Sequence, residues 1–234
     1  MPAFVLRPMP AMLPAALLDQ ARMVCAATIG HFRFLGFPDG GIRPIGSDDR
    51  IAGTAVTLAL PGMDSTLLHH IAGMLGPGFI LVIDRLGDQR HACIGGGVAV
   101  ALKKTGVEGV VVDGPCTDPD EVQAAGLPLW SRGTSPITTR LQGLGGAFNL
   151  PVSIGGAVVM PGDLIIADVG GIVAIPPVEA EAAVFRAAEM EAAENRMLPR
   201  LDEGESLGDI SGATAMIKKA TSVLTEALAL QERR

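Results

Sequence analysis

The sequence has no tyrosine, a single tryptophan (Trp130) and an aromatic content of 3% over 234 residues. Proteins that hold single-stranded nucleic acid stack bases on aromatic rings, so that class of function loses its usual means here. Positive charge is scarce as well: 18 Lys and Arg stand against 25 Asp and Glu, a formal charge of −7. Nucleic-acid backbones and anionic membrane surfaces are both bound through clustered cations, and neither attracts such a chain. No charge-free stretch of about 18 apolar residues suggests a bilayer span. Pro2, Pro8, Pro10 and Pro14 interrupt the apolar N-terminal stretch before a signal-peptide core can form. The three cysteines, Cys25, Cys93 and Cys116, contain no C-x-x-C pair, which suits a reducing compartment. The expectation is a cytoplasmic protein whose partners are small molecules or proteins, with no nucleic acid and no membrane among them.

Motif absences narrow the chemistry further. His31, His69, His70 and His91 show neither H-x-x-x-H nor H-E-x-x-H spacing, so the common zinc sites find no support. The phosphate-binding loop G-x-x-x-x-G-K-[ST], the hydrolase elbow G-x-S-x-G and a G-x-G-x-x-G opening a helix are all missing.

What is present is glycine (30 residues) and a 48% hydrophobic content built from Ala, Val, Ile and Leu, a composition for close-packed strands joined by tight turns. Apolar periodicity predicts a helix over 13–27 ended by Gly30, a strand at 51–60, a short helix at 65–74 and a buried strand at 79–84. A helix over 93–105, with Gly106 closing it, and a strand over 107–114 follow, so strand, helix and strand form a right-handed βαβ unit. A short helix near 118–125 and a strand at 127–133 come next. Consecutive antiparallel strands are expected over 151–176, and Ala- and Glu-rich helices over 177–200 and 213–231, separated by the loop 202–211. The predicted organisation is one α/β domain over 1–176 with a C-terminal helical extension over 177–234, packed on that domain or on a neighbouring subunit.

The segment IGGGVAVALKKTGVEGVVVDGPCTDPDEV at 94–122 is the most distinctive. Gly95, Gly96 and Gly97 precede a helix, where unpaired amides and the helix dipole favour a carboxylate or phosphate; a tight turn without a ligand is the alternative. The strand that ends at Asp113 leads into a loop carrying Asp118, Asp120 and Glu121. Carboxylates beyond a strand's carboxyl end can converge on the mouth facing the glycine turn and offer the oxygen donors that Mg²⁺ or Mn²⁺ prefers. Equally, Asp118 followed by Pro119 reads as a helix N-cap.

G-x-x-x-A at 95–99, A-L-K-K-x-G-V-x-G-V-V-V-D-G at 101–114 and the aspartate at 118 resemble the signature of the RraA-like family. IAGTAVTL at 51–58, FILVID at 79–84 and NLPVSIGGAVVMPGDLIIADVGGIVAIP at 149–176 extend the similarity over most of residues 20–205. The resemblance implies a swivelling β/β/α domain assembled as trimers or hexamers, with the active site at a subunit interface. It implies aldolases for 4-hydroxy-4-methyl-2-oxoglutarate and related acids that also decarboxylate oxaloacetate. It further implies Mg²⁺ or Mn²⁺ held through Asp118 and waters, and a pyruvoyl carboxylate met by backbone amides at Gly97 and Val98. The family also contains an inhibitor that binds an endoribonuclease, so a non-catalytic regulator is the competing class; a methyltransferase label attached to some relatives finds no nucleotide loop to support it.

Two positions depart from the family pattern. The usual arginine before the aspartate is Thr117, which has neither charge nor a bidentate fork, and an acidic residue in the turn before the helix is Gly96. Arg85, Arg90 or Lys103 are candidates to supply the missing cation. By the same resemblance Glu194 corresponds to a glutamate placed into a neighbouring subunit's site; an exposed helix-surface glutamate is the alternative. Asp163 and Asp168 read as turn residues, and nothing predicts a lowered thiol pKa for Cys116.

Overall fold

The computed structural model describes residues 3–46 and 49–231, with side chains through 222. The chain opens with a strand that periodicity did not announce, β1 (Phe4–Leu6), and continues into α1 (Ala15–Ala21) and α2 (Ala26–Gly30). One helix was expected over this stretch; the structure breaks it at Arg22–Cys25. The reason is tertiary: Asp168 Oδ2 accepts the Ala26 amide at 2.9 Å, so a carboxylate 142 residues away starts α2.

A two-residue strand, β2 (Arg43–Pro44), precedes β3 (Ile51–Ala59). Every residue of β3 but the last is buried, which is why it reads as an uninterrupted apolar run rather than an alternating one. After it come α3 (Thr66–Ile71), a 3₁₀ turn at Ala72–Met74 and β4 (Phe79–Asp84). Helix α4 (Gly96–Lys104) starts three residues later than expected; Gly106, at φ +83°, follows its C-cap Thr105. Next in order are β5 (Gly109–Asp113), α5 (Pro119–Ala124), β6 (Leu129–Ser131) and β7 (Gly146–Phe148).

The expected antiparallel run appears as β8 (Val152–Ile154), β9 (Ala157–Val159), β10 (Leu164–Asp168) and β11 (Gly171–Ile175). Strands β3, β4, β5 and β6 are parallel neighbours, and the other edge of β3 is shared by two antiparallel partners, β10 along its first half and β7 at its end. Gly155 and Gly156, both at positive φ, make the β8–β9 turn.

Three apolar groups flank this sheet. One joins β3, β4 and β5 to α3, α4 and α5 through Leu68, Ile71, Leu102 and Val122. A second packs α1, α2 and the start of α6 (Pro177–Asp202) on β10 and β11. The third seats Trp130 and β8–β9 against the remaining side. The α/β reading and the C-terminal helices of the sequence are thus both present, and the first compact unit runs to Ala187. The second unit, 188–234, contains the rest of α6, α7 (Leu207–Ile210) inside the expected loop, and α8 (Ala213–Gln231). No helix among the described residues is long and apolar enough to cross a membrane.

Candidate active site

Open parallel sheets bind ligands beyond the carboxyl ends of their strands, and here three such ends form a cleft of about 570 Å³. Ser65, at the N-cap of α3, and His69, within α3, reach it from beyond β3, Cys93 and the glycine turn from beyond β4, Thr117 and Asp118 from beyond β5.

The glycine turn differs in detail from the sequence reading. Only Gly95 precedes α4; Gly96 and Gly97 lie inside its first turn. The first intrahelical bond runs from the Ala99 amide to Gly95 O at 2.9 Å, so the amides of Gly96, Gly97 and Val98 have no partner within the helix. Each glycine meets a different constraint. A Cβ at 95 would stand 2.6 Å from Thr117 Cγ2 and 2.8 Å from Asp118 Oδ2, and one at 96 would collide with Glu121, whose carboxylate fills that space. Nothing lies within 4 Å of a Cβ at 97. Glu121, from α5, thus stands where a side chain at 96 would project.

Asp118 occupies the N-cap position of α5 with φ 50° and ψ 52°, and its side chain makes no cap hydrogen bond. The capping alternative therefore fails. Left-handed backbone is uncommon at residues other than glycine, and Asp is one of the few that adopt it. Among the described residues that carboxylate accepts one hydrogen bond, from Thr117 Oγ1 at 3.0 Å. Thr117 lines the cleft half-buried. Asp120 does not reach the cleft, and Asp113 is committed elsewhere, accepting from Arg132 Nε and from the Gly155 amide.

Arg85, Arg90 and Lys103, the candidates for a cation to accompany Thr117, do not line the cleft. Arg85 is fully buried and donates to the Gly62 and His91 carbonyls. The cation that does line it is Arg140, in an extended loop that local sequence patterns pass over. This loop, 133–144, is laced across three strand ends by backbone bonds. Ser135 N donates to Cys116 O at 2.8 Å, Ala92 N to Ile137 O at 2.8 Å, Arg140 N to Met63 O at 2.7 Å and Ser65 N to Arg140 O at 3.0 Å. The fully buried Asp64 fastens its far end, accepting the amides of Gln142 at 3.0 Å and Leu144 at 2.8 Å. Burial alone would raise the Asp64 pKa, but hydrogen bonds from Thr66, Gln142 and Leu144 outweigh it and hold the carboxyl well below the usual range. Arg140 Nη1 bonds Thr138 Oγ1 at 3.0 Å, and the guanidinium pairs with no carboxylate among the described residues.

Burial pushes the Cys93 thiol up to about 11 and raises Cys116 as well, so neither is an activated nucleophile. Asp163 and Asp168 have the turn roles expected of them, accepting Met160 N at 2.9 Å and Gly170 N at 2.8 Å respectively. Glu194 lies exposed on α6 within the second unit.

Residues 15–174 match the sequence profile of the family described as RraA-like, Aldolase/RraA. A protein of Halalkalibacterium halodurans, provisionally named a 4-hydroxy-4-methyl-2-oxoglutarate aldolase, is 32% identical over 151 residues, covering 64% of this chain and 71% of the relative. One of Alcanivorax borkumensis with the same provisional name is 33% identical over 158 residues, covering 68% and 91%. Among solved structures, Streptomyces coelicolor RraAS2, described as an unusual member of the RNase ES inhibitor RraA family, superposes with a TM-score of 0.72 at 29% identity, covering 80% of this chain and 98% of that one. The chain belongs to the RraA-like family.

Proposed function

We propose that the protein is a divalent-metal-dependent carbon–carbon lyase, an aldolase or decarboxylase that releases pyruvate from a 2-oxo acid. The observation that carries this reading is Asp118: an uncapped carboxylate on left-handed backbone, sharing one cleft with the glycine turn. No cluster of three or more His, Cys, Asp or Glu that could cage a metal exists among the described residues. The donor set fits Mg²⁺ or Mn²⁺, which keeps several waters and takes one or two carboxylates. Such an ion, held by Asp118, supplies Lewis-acid polarisation of the 2-oxo group.

The chain's own groups bind and orient the rest of the substrate. The unpaired amides of Gly97 and Val98, at the positive end of α4, suit the substrate's carboxylate. Arg140 offers a planar fork to a second carboxylate or oxo oxygen, the charge that Thr117 does not provide. The aldolase names of the two relatives support this reading. A trimer or a pair of trimers, with Glu194 entering a neighbouring subunit's cleft, belongs to the same proposal; a stable 24.1 kDa monomer in light scattering would remove that part.

The second reading is a regulator without lyase activity, favoured by Thr117 and by the likeness to RraAS2. Titration calorimetry with Mn²⁺ and a pyruvate-coupled assay on oxaloacetate separate the two. Asp118→Ala is expected to lose Mn²⁺ binding, and Thr117→Arg to fold normally and form pyruvate faster. Unchanged Mn²⁺ affinity in Asp118→Ala would sink the metal site. Mn²⁺ binding with no pyruvate from wild type or Thr117→Arg, on oxaloacetate or on branched 4-hydroxy-2-oxo acids, would favour the regulator.

A further inference from the structure

Pyruvate-forming cleavage needs a group that takes a proton and returns it, and the glycine turn has no side chain to do so. The ionisable residues lining the cleft are His69, Asp118, Arg140 and Cys93. Arginine stays protonated in proteins, the buried Cys93 thiol is held at about 11, and Asp118 is taken by the proposed metal. Histidine is the side chain whose ordinary titration lies near neutrality. Ser65, His69 and Ala72, spaced four and three residues apart, all line the cleft, which puts them on one face of α3 and its continuation. Buried Leu67, Leu68 and Ile71 anchor the helix in the core and so fix which way that face points. Among the described residues the His69 ring has no hydrogen-bond or ion-pair partner, so both nitrogens are available. His91 differs: its Nδ1 lies 2.7 Å from Asp88 Oδ2. His70 lines a separate depression with Phe4, Leu6 and Leu67.

We propose that His69 is the proton-transfer residue of this cleft. The inference rests on the lyase reading and adds a residue to it. Neutral His69 takes the proton of the C4 hydroxyl of a 4-hydroxy-2-oxo acid. The C3–C4 bond breaks, its electron pair forms the C2–C3 double bond, the 2-oxo oxygen becomes the enolate oxygen, and C4 departs as a carbonyl compound. The imidazolium then returns the same proton to C3, giving pyruvate and neutral histidine.

The reverse half of this cycle can be read without knowing the natural substrate, as exchange of pyruvate methyl protons for deuterium in the Mg²⁺-loaded oligomer, followed by proton NMR. His69→Gln is expected to exchange at least about 100-fold more slowly, the lower end of what a positioned acid–base group contributes, and to lose an ionisation from the rate–pH profile. His70→Gln is expected to exchange like wild type. Mn²⁺ affinity should be the same in all three, and pyruvate should move the ring resonance of His69 but not of His70. Exchange at the wild-type rate in His69→Gln overturns the role of His69 and leaves the lyase standing. A wild type that binds Mn²⁺ but exchanges no methyl protons overturns both.

Discussion

Asp64 is the side chain on which the cleft loop most depends, and replacing it has a calculable effect. Its Oδ1 accepts from Thr66 N at 3.0 Å, Thr66 Oγ1 at 2.6 Å and Gln142 N at 3.0 Å, while Oδ2 accepts from Leu144 N at 2.8 Å. In Asp64→Asn the amide oxygen can keep the first three donors, but its NH₂ then faces the Leu144 N–H, donor against donor. Bonds to charged acceptors contribute about 1.5–3 kcal/mol each, so losing one and weakening three predicts a destabilisation of about 3 kcal/mol at pH 7. The pH dependence follows from the lowered pKa. A carboxyl depressed in the folded state stabilises above its unfolded value of about 4, and that contribution drains away as pH falls toward the folded value. Wild type and Asp64→Asn should therefore converge in urea denaturation as the pH is lowered from about 4. Hydrogen exchange should show the Gln142 and Leu144 amides protected in wild type and open in the variant. An equal stability gap at pH 7 and at about pH 2, where much of the contribution of the ionised carboxyl has already been lost to protonation of the unfolded chain, would refute the reasoning, as would unchanged exchange at those two amides.

Gly95→Ala would push a methyl against Thr117 and Asp118 Oδ2; Mn²⁺ affinity should fall about tenfold, about 1.4 kcal/mol, with little change in melting temperature, and unaltered affinity would count against Asp118 as the ligand. With thiol pKa values raised by burial, Cys93 and Cys116 should resist iodoacetamide at neutral pH until urea unfolds the protein. Trp130, fully buried and donating from Nε1 to Asp168 O at 3.0 Å, should cost about 3–5 kcal/mol on replacement by alanine, measured by far-ultraviolet circular dichroism in urea.

The sequence was most legible where a segment's structure depends on its own residues. The uninterrupted apolar runs of β3 and β4, the Lys103-Lys104 end of α4 and the Gly-rich hairpins of 151–176 each carry their period or their turn chemistry locally. It was least legible where a distant group decides. The break between α1 and α2 is set by Asp168, and β1 exists because β7 pairs with it in parallel. Asp118 illustrates the same limit within the site. Asp-Pro looks like a cap in one dimension, and the left-handed φ that prevents capping is visible only in three. Arg140 was missed for a related reason: nothing in TSPITTRLQG has a period, and its position is imposed from a distance, by backbone bonds to Met63, Ala92 and Cys116 and by the Asp64 carboxylate.

That lacing separates two kinds of information. The crossings of residues 134–141 to Met63, Ala92 and Cys116 are main-chain bonds, while Thr138, Thr139, Arg140 and Leu141 line the cleft. Replacing those four keeps the main-chain crossings but gives up the side-chain bonds of Thr139 to Ala92 O and of Arg140 to Thr138 and Thr139. A library confined to residues 138–141 should therefore vary the lining of the cleft within a population that still folds.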